Sequence, residues 1–272
     1  MRGVVSAGMV TALEELGRTD AFDAVYGSSA GAINAAYFLA GQAAVGTTIY
    51  YEDINNRQFI DRRQMWRGRP IVNLSYLIDD VAVRRKPLDG ERVLASRAPL
   101  TVVVTDVSTA EPVALGPFAT VGSLRAALRA TATMPVVAGG PAVNDGREYF
   151  DASITEPIPL RVAEAAGHTH ILALLTRPGN VRRRSTVLDR LYVLPKLKRI
   201  SPALATRYRN RRGPYTATLA NIAAGRGPAG SAIVCGIRPA PPVVRLLECD
   251  AAALKRGAAA GHEAVIEAFN ES

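Results

Sequence analysis

Residues 24–34 read Ala-Val-Tyr-Gly-Ser-Ser-Ala-Gly-Ala-Ile-Asn, and this stretch decides how the rest of the chain is interpreted. A mostly apolar run from Phe22 to Tyr26 leads into Gly27, and an alanine-rich helical pattern follows. The result is a G-x-S-x-G pattern at a strand-to-helix turn, which holds a serine on a tight elbow. We expect Gly27 and Gly31 to let the strand and the helix pack closely. Ser29 is the candidate nucleophile.

The helix predicted after Ser29 adds a second reason to consider catalysis. Its N-terminus would carry partial positive charge and free N–H groups beside the serine, and both stabilise a developing oxyanion. A glycine-rich turn that merely opens a helix would show the same short pattern. The elbow therefore needs a catalytic partner elsewhere in the chain.

Composition limits the possible protein classes. The chain has 272 residues, of which 48% are hydrophobic and 21% charged, as expected for a globular domain. No apolar run approaches 18 residues, which excludes a membrane-spanning helix. Cys235 and Cys249 give neither a disulfide framework nor a metal-binding spacing, and we expect both in the core. We predict one domain over 1–272, with catalytic motifs within 1–160 and a basic, partly helical C-terminal part at 180–272.

The formal net charge is +9, and nearly all of the positive charge comes from arginine. Much of it lies between Arg182 and Arg212. Such an excess is typical of nucleic-acid binding, of contact with anionic lipid or of a solvated face. Because no nucleic-acid motif accompanies it, we expect no nucleic-acid partner and favour a membrane surface or a solvated face.

Apolar runs and helical patterns alternate along the chain, which predicts a three-layer α/β/α fold with a mostly parallel central sheet. The stretch from Tyr50 to Arg85, which contains Trp66, is less regular. It is either a helical cap over the site or a surface excursion. The predicted helices are Val4–Leu16, Ser29–Leu39, Ser123–Arg129 and Ala251–Phe269, and the predicted strands are Phe22–Tyr26, Pro99–Val107, Val113–Leu115, Ile171–Leu175, Ser231–Ile237 and Val243–Leu247.

A nucleophilic serine needs a base, which is ordinarily a histidine oriented by a carboxylate. His262 fits the order of a Ser-His-Asp esterase of another fold, but it lies within a predicted helix rather than on a loop. Asp151 is the alternative, because it ends an aromatic-rich strand and small residues follow it. Its other interpretation is a turn aspartate that binds backbone N–H groups.

Several motifs in order make the chain resemble the patatin-like phospholipase family, from Met1 to about Leu175. The elbow matches that family's nucleophile motif, and Asp151 falls where the family has Asp-Gly-Gly or Asp-Gly-Ala. The segments that carry the resemblance are Arg2-Gly3-Val4 to Leu16, Gly27 to Gly31, Thr105 to Val107, Ala130 to Pro135, Tyr149 to Ser153 and Pro157 to Leu160.

The resemblance implies hydrolysis of lipid acyl esters by a Ser-Asp dyad. Ser29 would form an acyl-enzyme, and Asp151 would accept the serine proton and then activate water. Backbone N–H groups near Arg2 and Gly3 would hold the oxyanion. The resemblance implies no metal and no organic cofactor. The expected substrates are phospholipids, lysophospholipids or other lipid acyl esters, and the expected location is cytoplasmic, with peripheral contact to an anionic membrane as an option.

Two departures from the family pattern carry expectations of their own. Ala152 replaces the usual glycine after the aspartate, which would strain the turn if that position needs a positive φ. The family's glycine-rich oxyanion loop and its strand, expected before Arg2-Gly3, are absent. We therefore expect either that Met1 is not the natural start or that the chain is a truncated, weakened enzyme with an open sheet edge. A non-catalytic patatin-like protein that binds lipid is the alternative.

Overall fold

A mixed sheet lies at the centre of the computed structural model, which describes residues 1–179, 189–241 and 244–271. Its strand β2 pairs in parallel with β1 and antiparallel with β3 and β5, and β4 is antiparallel to β5. A second sheet consists of the parallel strands β6 and β7. The strands are β1 Val25–Ser28, β2 Leu100–Asp106, β3 Pro112–Leu115, β4 Ala142–Asn144, β5 Arg147–Asp151, β6 His170–Leu174 and β7 Ile233–Ile237.

Helices occupy most of the remaining chain. Short 3₁₀ turns cover Thr19–Ala21, Arg62–Arg67 and Ala152–Ile154, and π-helical segments cover Tyr76–Arg85 and Asp189–Val193. The α-helices are α1 Val4–Glu15, α2 Ala30–Leu39, α3 Ala43–Glu52, α4 Gly90–Leu94, α5 Val121–Ala132, α6 Leu160–Ala165, α7 Leu194–Ile200, α8 Pro202–Asn210, α9 Arg212–Ala223 and α10 Ala251–Asn270.

Side chains alternate between the two faces of the sheet along β2 and β5, and different helices cover each face. Val102 and Val104 point into the main core, where α2 and α5 cover the sheet. Phe150 points to the other face and packs with Leu197 of α7 and Leu204 of α8. The sheet is therefore enclosed by helices on both faces, and the predicted α/β/α class is confirmed.

The C-terminal helix α10 belongs to the main core through very close contact with α1. A Cβ atom added to Gly8 of α1 would lie 2.0 Å from the carbonyl oxygen of Ala258. A Cβ atom on Gly261 of α10 would lie 2.0 Å from the carbonyl oxygen of Val5. The two backbones can approach this closely because neither residue has a side chain at the crossing.

The strands pair in both parallel and antiparallel directions. Parallel pairing joins β1 to β2 and β6 to β7, whereas β3, β4 and β5 pair antiparallel. A short turn at 108–111 brings the chain back along β2 as β3, and the Asn144-Asp145-Gly146 turn predicted from sequence joins β4 to β5. Tight turns of this kind can join antiparallel strands only.

The core position predicted for Cys235 was wrong, because this residue is exposed on β7, and Cys249 is only partly buried.

Several predicted boundaries were also wrong. β1 begins at Val25 rather than Phe22, and α5 is capped by Thr120, whose side chain accepts the N–H of Ser123. Of the strand predicted at 243–247, residue 243 lies outside the described residues and Val244–Leu247 is loop and turn. Val244 is buried by packing against Gly257 rather than by strand pairing. No helix in the described ranges is long and apolar enough to cross a membrane.

Candidate active site

Ser29 lies at the turn between β1 and α2, in an unusual backbone conformation. Its φ is 52° and its ψ is −134°, and it occupies the N-cap position of α2. A positive φ is uncommon for a residue with a side chain and marks strain that the surrounding structure must maintain. The turn predicted from the sequence therefore has the sharp strand-to-helix geometry of a nucleophile elbow.

The two elbow glycines have different steric roles. A Cβ atom at Gly27 would lie 2.4 Å from the Cα atom of Ala32, so the close contact between β1 and α2 requires glycine there. A Cβ atom at Gly31 would meet no heavy atom within 4 Å outside the helix backbone. The steric role predicted from the sequence therefore applies to Gly27 and is wrong for Gly31.

The pairing of β2 brings the ends of β1 and β5 together. β3 pairs with residues 102–105 of β2 and so occupies one edge of that strand. β1 and β5 must then share the other edge, with Ser28 opposite Val103 and Asp151 opposite Val104. Adjacent strand positions are about 3.3 Å apart. The strand that ends before Ser29 and the strand that ends at Asp151 thus meet end to end on this edge.

Two threonines at the C-terminal end of α5 occupy the junction between these strand ends. The hydroxyl of Thr131 donates to the carbonyl oxygen of Val103 over 2.6 Å and accepts the backbone N–H of Ser29 over 2.8 Å. The carbonyl oxygen of Thr133 accepts the backbone N–H of Asp151 over 2.9 Å. One short segment therefore fixes the backbone at both candidate catalytic residues.

Asp151 is 1% exposed, and one of its carboxylate oxygens accepts the N–H of Ser153 over 2.7 Å. This bond caps the 3₁₀ turn Ala152–Ile154. The turn-capping interpretation of the aspartate is therefore confirmed. Ala152 is not among the described residues with positive φ, so alanine fits this position without strain.

Gly3 lies beside the elbow, and the side chain of the preceding Arg2 donates to the carbonyl oxygen of Val244 over 3.3 Å. A Cβ atom at Gly3 would lie 2.4 Å from the Cβ atom of Ala30, the residue after Ser29. The Asn34 side chain donates to the Gly3 carbonyl oxygen over 2.8 Å, and the Tyr50 hydroxyl donates to Asn34 over 3.0 Å. Burial raises the pKa of Tyr50, and the hydrogen bond to Asn34 offsets this only in part, so the phenol remains a proton donor.

The structure places His262 far from the elbow. Its Nε2 atom lies 2.6 Å from a carboxylate oxygen of Glu15, at the C-terminal end of α1. Gly3, which touches the elbow, precedes the other end of this helix, and a 12-residue helix is about 18 Å long. His262 also lines a groove of about 320 Å³ between α1, α3 and α10. This position argues against His262 as a base for Ser29.

Sequence reasoning missed the roles of Thr131 and Thr133, which lie in the predicted run of small residues from Ala130 to Pro135. It also missed the carboxylate of Asp106, which accepts the N–H groups of Ser108 and Thr109 and so closes the turn between β2 and β3. Burial alone would raise the pKa of Asp106, but these hydrogen bonds and those from the two hydroxyls lower it overall. The sequence signal for this turn-closing role is an aspartate at a strand end, two residues before a serine.

Comparison with protein families gives a match over the first part of the chain. The family model described as patatin-like phospholipase matches residues 1–164, which include Ser29, Asp151 and the segments around them. No curated protein matches the chain. The matched region ends within α6, so the second sheet and the helices from α7 to α10 lie beyond it.

Proposed function

We propose a catalytic role for this chain on the premise that it belongs to the patatin-like phospholipase family, whose model matches residues 1–164. The family places it among lipid acyl hydrolases. Our proposal is that Ser29 is the nucleophile and Asp151 the base. The observation that carries it is the shared edge of β2, where the elbow and the strand that ends in Asp151 meet.

In the proposed first half-reaction, the Ser29 hydroxyl oxygen forms a bond to the ester carbonyl carbon, and its proton passes to the Asp151 carboxylate. The tetrahedral intermediate then collapses, the bond to the alcohol oxygen breaks, and the alcohol leaves with that proton. An acyl group remains on Ser29. In the second half-reaction Asp151 removes a proton from water, whose oxygen attacks the acyl carbon. The bond between this carbon and the Ser29 oxygen then breaks, Asp151 returns the proton to Ser29, and the fatty acid leaves.

Negative charge on the carbonyl oxygen would be stabilised by backbone N–H groups. The start of α2 at Ala30 offers helix N-terminal N–H groups next to the nucleophile. Gly3 is packed against Ala30, which supports the proposal that the backbone near Arg2 and Gly3 takes part. Removing one such donor in other enzymes lowers turnover by about 10²–10³.

We propose lipid acyl esters as substrates and an anionic membrane surface as a peripheral contact. Residues 189–212 carry eight Lys or Arg residues and one acid, while residues 182–188 lie outside the described residues. α7 and α8 bury Leu197 and Leu204 beside Phe150, next to Asp151 in sequence. Their outer side exposes Lys198, Arg199 and Ile200. Such a face suits anionic lipid.

A catalytically weak or inactive lipid-binding protein is the second candidate, and one observation favours it. Among the described strands, β1 pairs with β2 alone, so its other edge beside Tyr26 lacks a strand partner. An elbow with support from one side would be less rigid, and a looser elbow would lower turnover.

A serine-reactive fluorophosphonate probe with mass-spectrometric mapping tests the proposed function. We expect labelling of Ser29 in the native chain and hydrolysis of at least one ester in a panel of phospholipids, lysophospholipids and short-chain esters. The matched control is Ser28→Ala, which removes the neighbouring hydroxyl that donates to the carbonyl oxygen of Pro157. Absence of both labelling and hydrolysis in the folded chain would favour the lipid-binding candidate.

A further inference from the structure

Trp66, the single tryptophan of the chain, is 88% exposed. It lies in the 3₁₀ turn Arg62–Arg67, within a segment from Asp61 to Pro70 that we call the Trp66 arm. Tryptophan is strongly favoured in buried or interfacial positions, because its large ring is apolar and its N–H is polar. An almost fully exposed tryptophan in the folded chain indicates an external partner.

The surroundings of Trp66 are strongly basic. Five arginines and one acidic residue lie between positions 57 and 69. The acid, Asp61, accepts from the Arg63 backbone N–H and the Gln64 side chain. In the described part of the chain, no ion pair or side-chain hydrogen bond engages the exposed Arg63, Arg67 or Arg69. Their charges are therefore available to an anionic partner.

The backbone holds the Trp66 arm in place. The Asp61 N–H donates to the carbonyl oxygen of Ile71 over 2.9 Å, and the Ile71 N–H donates to that of Val137 over 2.8 Å. Asp61 caps the turn, and Gly68 ends it in the left-handed region. Because hydrogen bonds fix both ends of the turn, Trp66 is presented outwards by ordered backbone rather than by a frayed loop.

A groove beside the Trp66 arm includes Thr133, a residue that holds the backbone of Asp151. It has a volume of about 540 Å³, and its walls include Gln64 and Arg69 of the arm together with Thr133. The carbonyl oxygen of Thr133 accepts the backbone N–H of Asp151. A surface bound at the arm would therefore lie beside a groove that shares Thr133 with the segment that positions the proposed base.

We propose that the Trp66 arm docks the protein onto anionic bilayers, with the Trp66 ring at the headgroup level and Arg63, Arg67 and Arg69 on lipid phosphates. This inference rests on the proposed function. A tryptophan among arginines suits the membrane interface, where aromatic rings and basic side chains are enriched. Tryptophan and arginine are also enriched at protein–protein interfaces. The excess of five arginines over one acid between positions 57 and 69 favours the bilayer, because an anionic membrane surface attracts clustered basic side chains. The arm would thus orient the groove towards the lipid that supplies the substrate.

Trp66 fluorescence tests the proposal directly, because the chain has no other tryptophan. The full chain carrying Ser29→Ala is mixed with vesicles of phosphatidylcholine, with or without phosphatidylglycerol. We expect a blue shift of the emission only with phosphatidylglycerol, and its reversal at high salt because salt screens surface charge. Emission that stays unshifted with both vesicle types would overturn the proposal.

Substitutions of arginines on and off the arm test whether vesicle binding depends on the arm. Arg63→Gln with Arg67→Gln should weaken co-sedimentation with the mixed vesicles, by about fivefold per arginine. The control pair Arg97→Gln and Arg256→Gln changes the net charge equally on exposed arginines elsewhere, and it should leave binding nearly unchanged. Equal loss in both pairs would contradict docking through the arm.

Activity of a Trp66→Ser variant on two substrates separates this inference from the proposed function. We expect unchanged hydrolysis of a soluble short-chain ester and slower hydrolysis of vesicle phospholipid. If the native chain binds vesicles through the arm but cleaves neither substrate, the proposed function fails and docking stands. If Trp66→Ser changes the association state of the chain in solution but not its vesicle binding, the arm contacts a second copy and the bilayer proposal fails.

Discussion

The candidate active site and the Trp66 arm differ in the surroundings of their side chains. At the active site, Ser29 and Asp151 have their backbone N–H groups bound by Thr131 and Thr133, within the buried end of the sheet. On the arm, hydrogen bonds also hold the backbone, but the side chains of Trp66, Arg63, Arg67 and Arg69 extend into solvent.

The comparison shows two different reasons why a position requires a particular amino acid. At the active site the residue type follows from internal geometry, since even one added methyl group at Gly27 would collide with Ala32. On the arm, no hydrogen bond or ion pair within the described residues engages the side chains at 63, 66 and 67, so we attribute their chemistry to the proposed external partner. Substitutions should therefore affect stability in the first region and binding in the second.

The largest effect is expected at Gly27. Gly27→Ala places a Cβ atom 2.4 Å from the Ala32 backbone and should lower the free energy of unfolding by about 3 kcal/mol or more. Gly31→Ala is the matched control, since its Cβ atom meets open space and alanine stabilises helices by up to about 1 kcal/mol over glycine. Chemical denaturation measures both. Equal destabilisation by the two substitutions would show that the elbow packing is described wrongly.

Thr131→Val should have the next largest effect, because it keeps the shape but removes the hydroxyl shared by Val103 and Ser29. The unfolding free energy should fall by about 1–3 kcal/mol, since buried polar groups lose their partners. We expect kcat to fall roughly tenfold, with KM little changed, because the elbow loses its anchor.

Two companion variants test this role of Thr131. Thr131→Ser keeps the hydroxyl and should restore most of the turnover. Thr133→Val should have a smaller effect, because that hydroxyl donates to the Arg129 carbonyl oxygen within the same helix. Wild-type turnover in Thr131→Val would contradict the positioning role.

The effect expected at Glu164 lies between those at the active site and those on the arm. Its carboxylate binds backbone N–H groups of residues 229–232, which lie outside the region matched by the family model. Backbone hydrogen bonds from Ala229, Ser231 and Ala232 lower the pKa of Glu164. The stabilisation is therefore present above the unfolded-state pKa of about 4.3 and is lost as pH falls through the lower folded-state value. Glu164→Gln should lower Tm at neutral pH, and the difference from wild type should narrow in acid. A pH-independent difference would contradict this linkage.

The smallest effect on stability is expected on the arm. Arg63→Gln with Arg67→Gln should change the unfolding free energy by no more than about 0.5 kcal/mol, since these exposed side chains have no partners in the described residues. Thermal unfolding measures this difference. A large loss of stability would show that these arginines have an internal role and would weaken the comparison between the two regions.

The sequence predicted the parts of the site that depend on local pattern. Ser29 stands in a short motif flanked by an apolar run and a helical pattern, and Asp151 ends a recognisable strand. Their turns depend on nearby residues, so local sequence is sufficient to indicate them. Thr131 could not be assigned a role in this way, because its hydroxyl joins residues 102 and 28 positions away.

Strand pairing and the role of the surface could not be predicted from the sequence pattern either. Apolar runs such as Pro99–Val107 indicate strands but not their partners, which explains why the meeting of β1 and β5 on one edge of β2 was not predicted. From sequence, the stretch from Tyr50 to Arg85 fits either a helical cap or a surface excursion, since it has no regular apolar pattern. The structure buries much of this stretch in the main core, including Ile60, Val72 and Ile78, and leaves Trp66 88% exposed.

The most direct test of the central claim is the turnover of Ser29→Ala, Asp151→Asn and the double variant on the best ester substrate, with circular dichroism to verify folding. If the two residues act as one unit, each single variant should lose nearly all activity, and the double variant should lose little more. Turnover near the wild-type level in folded Asp151→Asn would contradict the Ser29–Asp151 dyad.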